Sequence, residues 1–172
     1  MSDPITPRGY GYAEFLKQYG PKALENGRYR WLVTGAAGFI GSHFVEALLS
    51  AGQTAIGLDD LSAGYRRNLE LALAGAGTGA DARFRFIEGS IADPELCRTA
   101  CEGIDFVLHQ AALASVPLSM ERPLDFSAVN TEGFVNILEA ARTQGVRRVV
   151  YASSSAVYGD DSQLPKIGRA HV

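Results

Sequence analysis

The sequence predicts a doubly wound parallel α/β sheet, and three observations carry that prediction. Short apolar runs alternate with helical patterns along the chain, joined by brief loops and without an internal repeat. Three spaced glycines, Gly35, Gly38 and Gly41, fall where the first apolar run gives way to the first helical pattern. An acidic pair, Asp59-Asp60, closes the second apolar run. Strands of a parallel sheet are covered on both faces, so they read as near-continuous apolar runs.

Each element has its own signal. Residues 30–34 form a compact apolar run ending at a glycine, expected as a buried strand. Residues 39–50 follow with Ile40, Phe44, Ala47 and Leu48 on one helical face. Residues 53–58 are a second strand, 65–76 a helix, and the glycine-rich stretch 75–80 a flexible connector. Residues 83–88 alternate polar with apolar as a third strand. Asp93 is the expected N-cap of a helix over 94–101, with Pro94 in its first turn. Residues 104–109 make a fourth strand, 130–144 a long amphipathic helix stopped by Gly145, and 146–152 a fifth, buried strand. Residues 1–29 differ: they hold four of the seven tyrosines and a helical pattern over 13–19. They are expected to be an appendage packed on the domain formed by residues 30–166.

Composition narrows the function. With 47% apolar and 20% charged residues the chain reads as an ordinary globular domain. A net charge of −3 without any Lys/Arg block argues against a nucleic-acid partner. No segment approaches the ~18 apolar residues that span a bilayer, so no membrane association is expected. The start, Met-Ser-Asp-Pro, lacks the basic-then-apolar pattern of a secretory signal, which favours a cytoplasmic location. Cys97 and Cys101, four residues apart on a helix, lack the further ligands a metal needs and are expected to be reduced and structural.

The glycines carry chemistry. Gly35-Ala36-Ala37-Gly38-Phe39-Ile40-Gly41 is a G-x-x-G-x-x-G loop between a strand and a helix. Gly35 serves the tight turn, Gly38 the approach of a pyrophosphate to the backbone, and Gly41 the packing of helix on strand. The N–H groups of the first helical turn then face the phosphates. Asp59 lies 24 residues after Gly35, close to the ~20-residue interval at which a carboxylate meets the adenosine ribose. A carboxylate there accepts from ribose hydroxyls and repels a 2′-phosphate, so NAD is expected, with Arg66 and Arg67 keeping NADP as the second choice.

These residues resemble the extended short-chain dehydrogenase/reductase superfamily, the NAD-dependent epimerases and dehydratases with a Rossmann-type domain, over about residues 30–166. The resemblance implies that Gly35, Gly38, Phe39, Ile40, Gly41, Asp59, Asp60, Ser62 and Gly64 bind the cofactor. Residues 88–91 (Glu-Gly-Ser-Ile) match the adenine segment, where Ser90 stands for the family's usual Asp beside Ile91. Gln110, Ala111 and Ala112 would lie along the nicotinamide half, and Asn130 would order the site.

More narrowly, residues 109–117 (His-Gln-Ala-Ala-Leu-Ala-Ser-Val-Pro) and 151–160 look like bacterial UDP-N-acetylglucosamine 4-epimerases of surface-polysaccharide synthesis. These interconvert UDP-N-acetylglucosamine and UDP-N-acetylgalactosamine, or the corresponding uronic acids. That group often has glycine where this chain has Ala114. Four residues before Tyr158, Ser154 matches the family's catalytic serine, which hydrogen-bonds the sugar 4-hydroxyl. Ser155, Ser115 and Val116 would line the sugar site, and His109 is a satisfied strand-end histidine without a catalytic role. Related dehydratases carry Asp-Glu directly after the catalytic hydroxyl; here those positions are Ser155 and Ala156, which cannot shuttle a proton as a carboxyl can. The absence favours an epimerase.

In the family a tyrosine phenolate takes the 4-hydroxyl proton, the C4 hydride passes to NAD, and a lysine four residues on lowers the tyrosine pKa. None of Tyr10, Tyr12, Tyr19, Tyr29, Tyr65, Tyr151 or Tyr158 has lysine at that spacing. The family's pair lies farther beyond the serine than the 18 residues that follow Ser154. The final residues 167–172 match the translation of a common sequencing adapter, ATC GGA AGA GCA CAC GTC, whose next codon is a stop. The tail is therefore expected to be non-native, and the chain an inactive N-terminal fragment, poorly soluble alone, of an enzyme that pairs as a homodimer through its long helix. A UDP-glucose 4-epimerase fragment and a non-catalytic NAD-binding module remain the alternatives.

Overall fold

Five short strands, four of them apolar runs and β3 alternating, each find a parallel neighbour. The computed structural model describes residues 27–154 and residue 157. In chain order the elements are β1 (Arg30–Thr34), α1 (Phe39–Ser50), β2 (Thr54–Asp59), α2 (Arg66–Ala76), β3 (Phe84–Glu88), α3 (Pro94–Ala100) and β4 (Phe106–His109). There follow α4 (Val116–Glu121), α5 (Pro123–Phe126), a π-helical segment Ser127–Gly133, α6 (Phe134–Thr143) and β5 (Arg148–Tyr151). The strands lie in the order β3-β2-β1-β4-β5, every pair parallel. The chain steps outward from β1 to β3, returns to β4 and steps outward the other way. This is the doubly wound sheet expected, with its switch point between β1 and β4.

Successive side chains of a strand face opposite ways, and the core divides accordingly. Leu32, Ile56, Leu58 and Val107 join Cys97, Ala100, Ile137 and Ala140 beneath α3 and α6. Val33, Ala55 and Leu108 join Val45, Leu48, Leu49, Leu69 and Ala72 beneath α1 and α2. Each fully buried Leu, Ile or Val contributes about 1.5–3 kcal/mol relative to exposure, against about 0–1 kcal/mol for an exposed ion pair. The two apolar layers therefore decide stability. Cys97 and Cys101 are free thiols within the first layer. Burial pushes them up to about 12 and about 11, so both stay protonated at neutral pH.

The structure revises several expectations. Helix α1 has the expected bounds but a different buried face. Val45, Leu48 and Leu49 meet the sheet, while Ile40 is 54% exposed. Gly41 must touch the β1 turn, and that contact rotates Ile40 outward. The long helix begins earlier than residue 130: Pro123 starts a helical run in which Asn130 sits inside the π-helical stretch. Helices α4 and α5 had no strong signal, being short and opened by Pro117 and Pro123. Strand β5 is shorter than 146–152, and it is the sheet edge among the described residues, with Val150 half exposed. Tyr29, grouped with the appendage by composition, already belongs to the sheet: its carbonyl accepts from the Thr54 N–H at 3.1 Å and its ring meets Phe106 edge-on. The expected appendage helix over 13–19 and the tail 167–172 lie outside the described residues.

Candidate functional site

The C-terminal ends of four strands open on one groove at the switch point. Gly35 and Gly38 come from the loop after β1; Asp59, Asp60, Ser62 and Gly64 come from the end of β2 and its loop. Ser90 and Ile91 enter after β3, and Gln110, Ala111 and Ala112 after β4. Eleven of the residues named from sequence thus share one surface. Gly89 of the adenine segment lines it too, as do Leu58, Ala63, Leu113 and Val129, which were not named as site residues from the sequence. Position directly beside a named residue was the signal available for most of them.

The three glycines do different work. Gly35 has φ +66°, and a Cβ there would stand 2.7 Å from the Ala111 nitrogen. A Cβ on Gly41 would stand 2.0 Å from the Gly35 carbonyl oxygen, so α1 docks directly on the turn. Gly38 is looser: its Cβ would meet only the Gly35 oxygen, at 3.2 Å. What glycine spares at 38 is space in the groove. Gly38 is also the N-cap of α1 and offers no side-chain acceptor, which leaves first-turn N–H donors, at the positive end of the helix dipole, for an anion. The side chains of Phe39 and Ile40 are exposed and do not line the groove; only their backbone belongs to this donor set.

Asp59 is buried and joins two loops. One carboxylate oxygen accepts from the Ala37 N–H at 2.9 Å, the other from the Leu61 N–H at 2.8 Å. Each oxygen keeps a further lone pair for a donor in the groove. Asn68, missed by the sequence reading, donates to the Ala37 carbonyl at 2.7 Å and ties α2 to the same loop. Asp60 is spent locally, accepting from the Ser62 N–H at 3.0 Å and the Ser62 hydroxyl at 2.5 Å. The Ser90 hydroxyl accepts from the Ala92 N–H at 3.3 Å and closes its own turn.

Across the switch point, Thr34 and His109 link β1 to β4. Thr34 Oγ1 lies 2.8 Å from His109 Nδ1 and accepts from the N–H groups of Gln110 and Ala111 at 3.2 and 3.3 Å. Burial pushes His109 down to about 4, so the ring is neutral at neutral pH. Asn130 does not line the groove. Its amide clasps the Leu113 backbone from behind, accepting from the N–H at 2.8 Å and donating to the carbonyl at 2.9 Å.

The remaining residues fall in α4 and its cap and just beyond β5. Ser115 caps α4, accepting from the Leu118 N–H at 3.4 Å, and lines a second pocket with Leu113, Arg122 and Phe126 that shares Asp60 and Ser62 with the groove. Val116 is 76% exposed. Ser154 is exposed just beyond β5, its carbonyl accepting from the Val157 N–H at 3.2 Å. Ser155 lies outside the described residues, as do Ala156 and Tyr158. Among the described residues no three His, Cys, Asp or Glu side chains gather as metal ligands, and no helix is long and apolar enough to cross a membrane.

A parallel sheet whose switch point joins a glycine turn, a helix N-terminus and a carboxylate closing β2 is the architecture of a dinucleotide-binding domain. The chain belongs to the NAD dependent epimerase/dehydratase family, whose model matches residues 31–171. It is 43% identical over 138 residues to a UDP-glucose 4-epimerase of Mycolicibacterium smegmatis, covering 79% of this chain and 42% of that protein. The chain spans about two fifths of the length of such relatives.

Solved structures agree on the fold. A UDP-glucose-4-epimerase from Stenotrophomonas maltophila, with bound NAD and formylated UDP-arabinopyranose, superposes with a TM-score of 0.74 at 33% identity, over 81% of this chain and 41% of that one. A UDP-N-acetylglucosamine 4-epimerase from Methanobrevibacter ruminantium M1, in complex with UDP-N-acetylmuramic acid, gives 0.70 at 31%, over 81% and 42%. A dTDP-glucose 4,6-dehydratase from Streptomyces venezuelae, with NAD bound, gives 0.69 at 39%, over 78% and 42%. The similarity therefore extends to both reaction types of the family, and NAD is the cofactor common to its name and to two of these structures.

Proposed function

We propose that this chain is the NAD-binding part of a nucleotide-sugar 4-epimerase that works on a UDP-linked sugar through a transient 4-keto form. The observation that carries the reading is the groove itself, where a free helix N-terminus, the space left by Gly38 and the Asp59 carboxylate meet. That set fits a dinucleotide. First-turn N–H groups from Phe39 to Gly41 take the pyrophosphate and Asp59 accepts from the ribose hydroxyls, with Asp60, Ser62 and Gly64 beside it. Ser90 and Ile91 face the adenine, while Gln110, Ala111 and Ala112 back the nicotinamide half in a loop that Asn130 holds. When bound, NAD supplies reversible hydride exchange with the sugar C4.

Ser154 orients the 4-hydroxyl, and Ser115, Val116 and Ser155 line the sugar. Because Ser155 and Ala156 provide no carboxyl, the elimination step of a dehydratase lacks its proton shuttle, and turnover of the 4-keto sugar followed by hydride return is the reaction left. No tyrosine here has lysine four positions on, so we place the proton-transferring pair elsewhere in the whole protein. Residues 109–117 favour UDP-N-acetylglucosamine and UDP-N-acetylgalactosamine, or their uronic acids, as substrates in surface-polysaccharide synthesis. The M. smegmatis relative and Ala114 favour the second reading, UDP-glucose. We place the whole enzyme in the cytoplasm as a homodimer paired through α6, where Val135 and Leu138 are exposed.

Titrating the chain with NAD⁺ tests the groove. Saturable binding is expected, and Asp59→Asn weakens it about tenfold or more, the worth of one charge-assisted hydrogen bond. An intact chain that ignores NAD⁺ removes the proposal. Turnover of UDP-N-acetylglucosamine against UDP-glucose by the complete enzyme decides the sugar: clear preference for UDP-glucose selects the second reading.

A further inference from the structure

Beside Asp59 stands a second carboxylate that the proposed function leaves unused. Asp59 and Glu88 are register partners at the ends of β2 and β3. Leu58 and Ile87, the residues before them, both face the α3/α6 layer, so Asp59 and Glu88 turn to the opposite face. Adjacent strands lie about 4.8 Å apart, which makes the two residues neighbours. Arg66, the first residue of α2, is ion-paired with Glu88, and its guanidinium lies 5.4 Å from the centre of the Phe86 ring. Both partners are more than half exposed. An ion pair so open to water contributes little to folding. Its position at the adenosine end of the groove gives it another use.

We infer that the Glu88–Arg66 pair is the device by which this domain rejects a 2′-phosphorylated dinucleotide, an inference that rests on the groove being a NAD site. A ribose held by Asp59 has Asp60 beside it in the groove and Glu88 across on the neighbouring strand. A 2′-phosphate there meets the like charges of Asp59, Asp60 and Glu88. Arg66 is the cation placed to neutralise it, yet Glu88 holds Arg66, whose guanidinium also lies over the Phe86 ring. An arginine free at that point would be an asset to a phosphate, since its fork binds phosphate oxygens in pairs. Glu88 therefore acts by occupying Arg66 as well as by its own charge.

The test is the ratio of NADP⁺ to NAD⁺ affinity, measured calorimetrically on the unmodified chain, on Glu88→Gln and on Glu88→Gln/Arg66→Gln, with circular dichroism to verify folding. Glu88→Gln raises the ratio about tenfold by releasing one charged partner for the phosphate. The double variant loses most of that rise, because the released guanidinium is gone. A ratio that Glu88→Gln leaves unchanged, in a chain that still binds NAD⁺, overturns the inference and spares the groove. A rise that survives in the double variant also overturns it, since Arg66 would then have no part. An unmodified chain that binds neither nucleotide overturns both readings together.

Discussion

The two ends of the groove are built differently. At the β1–β2 end, backbone meets backbone: α1 sits on the Gly35 carbonyl through Gly41, and Asp59 and Asn68 fasten the glycine loop through Ala37. At the β4–β5 end, side chains hold the loop, Thr34 at Gln110 and Ala111 and Asn130 at Leu113, and β5 is the sheet edge among the described residues, with Tyr151 and Ser154 exposed. On the proposed reading the first end meets the invariant part of the ligand, phosphate and ribose, which rewards fixed dipoles. The second meets the sugar, where family members differ.

That contrast can be broken by mutation, and the strongest blow falls at the first end. Gly41→Val should cost more than about 4 kcal/mol, because a Cβ at 2.0 Å from a carbonyl oxygen forces α1 off the turn. Urea unfolding measures it; near-native stability would mean α1 does not depend on that contact. Next comes pH. His109 sits near 4 when folded against an ordinary value of 6.5, so between those values the unfolded chain binds a proton that the folded chain refuses. Stability should therefore fall as pH drops from 6.5 to 4, by about 3 kcal/mol in all, and level off below. His109→Gln should flatten that slope; an unchanged slope would assign it to other groups. Asp59→Asn, which keeps one acceptor oxygen, should cost about 1–2 kcal/mol in thermal unfolding. Ser154→Ala, at the exposed end, should move stability by less than about 0.5 kcal/mol. A larger loss there would erase the distinction between the two ends.

The same contrast governs what the sequence reveals. Gly35, Gly41 and Asp59 were legible because one residue type satisfies a local demand: positive φ, absent Cβ, or a short carboxylate at a strand end. The parallel sheet covered on both faces followed from alternation alone, whereas the strand order β3-β2-β1-β4-β5 came from the structure. Asn68 and Thr34 were not legible, since polar side chains that clasp a distant backbone leave no periodic trace. Helices α4 and α5 were too short for a 3.6-residue period, and the face of α1 was misjudged because packing at Gly41, rather than hydrophobicity, sets its rotation. The exposure of β5 among the described residues was not legible, because its apolar run reads like that of a strand covered on both faces.

The π-helical stretch has a consequence for the phase of everything after it. A helix wound with i→i+5 bonds takes an extra residue relative to an α-helix, and one residue is about 100° of rotation. Upstream of Gly133 the winding aims Asn130 at Leu113; downstream, Ile137, Ala140 and Ala141 face the core. An unbroken α-helix through the same residues could not serve both directions at once. The stretch acts as a phase shifter, letting one continuous rod answer to the loop at its start and to the sheet at its end, and deleting a single residue within it would leave only one of those two alignments in place.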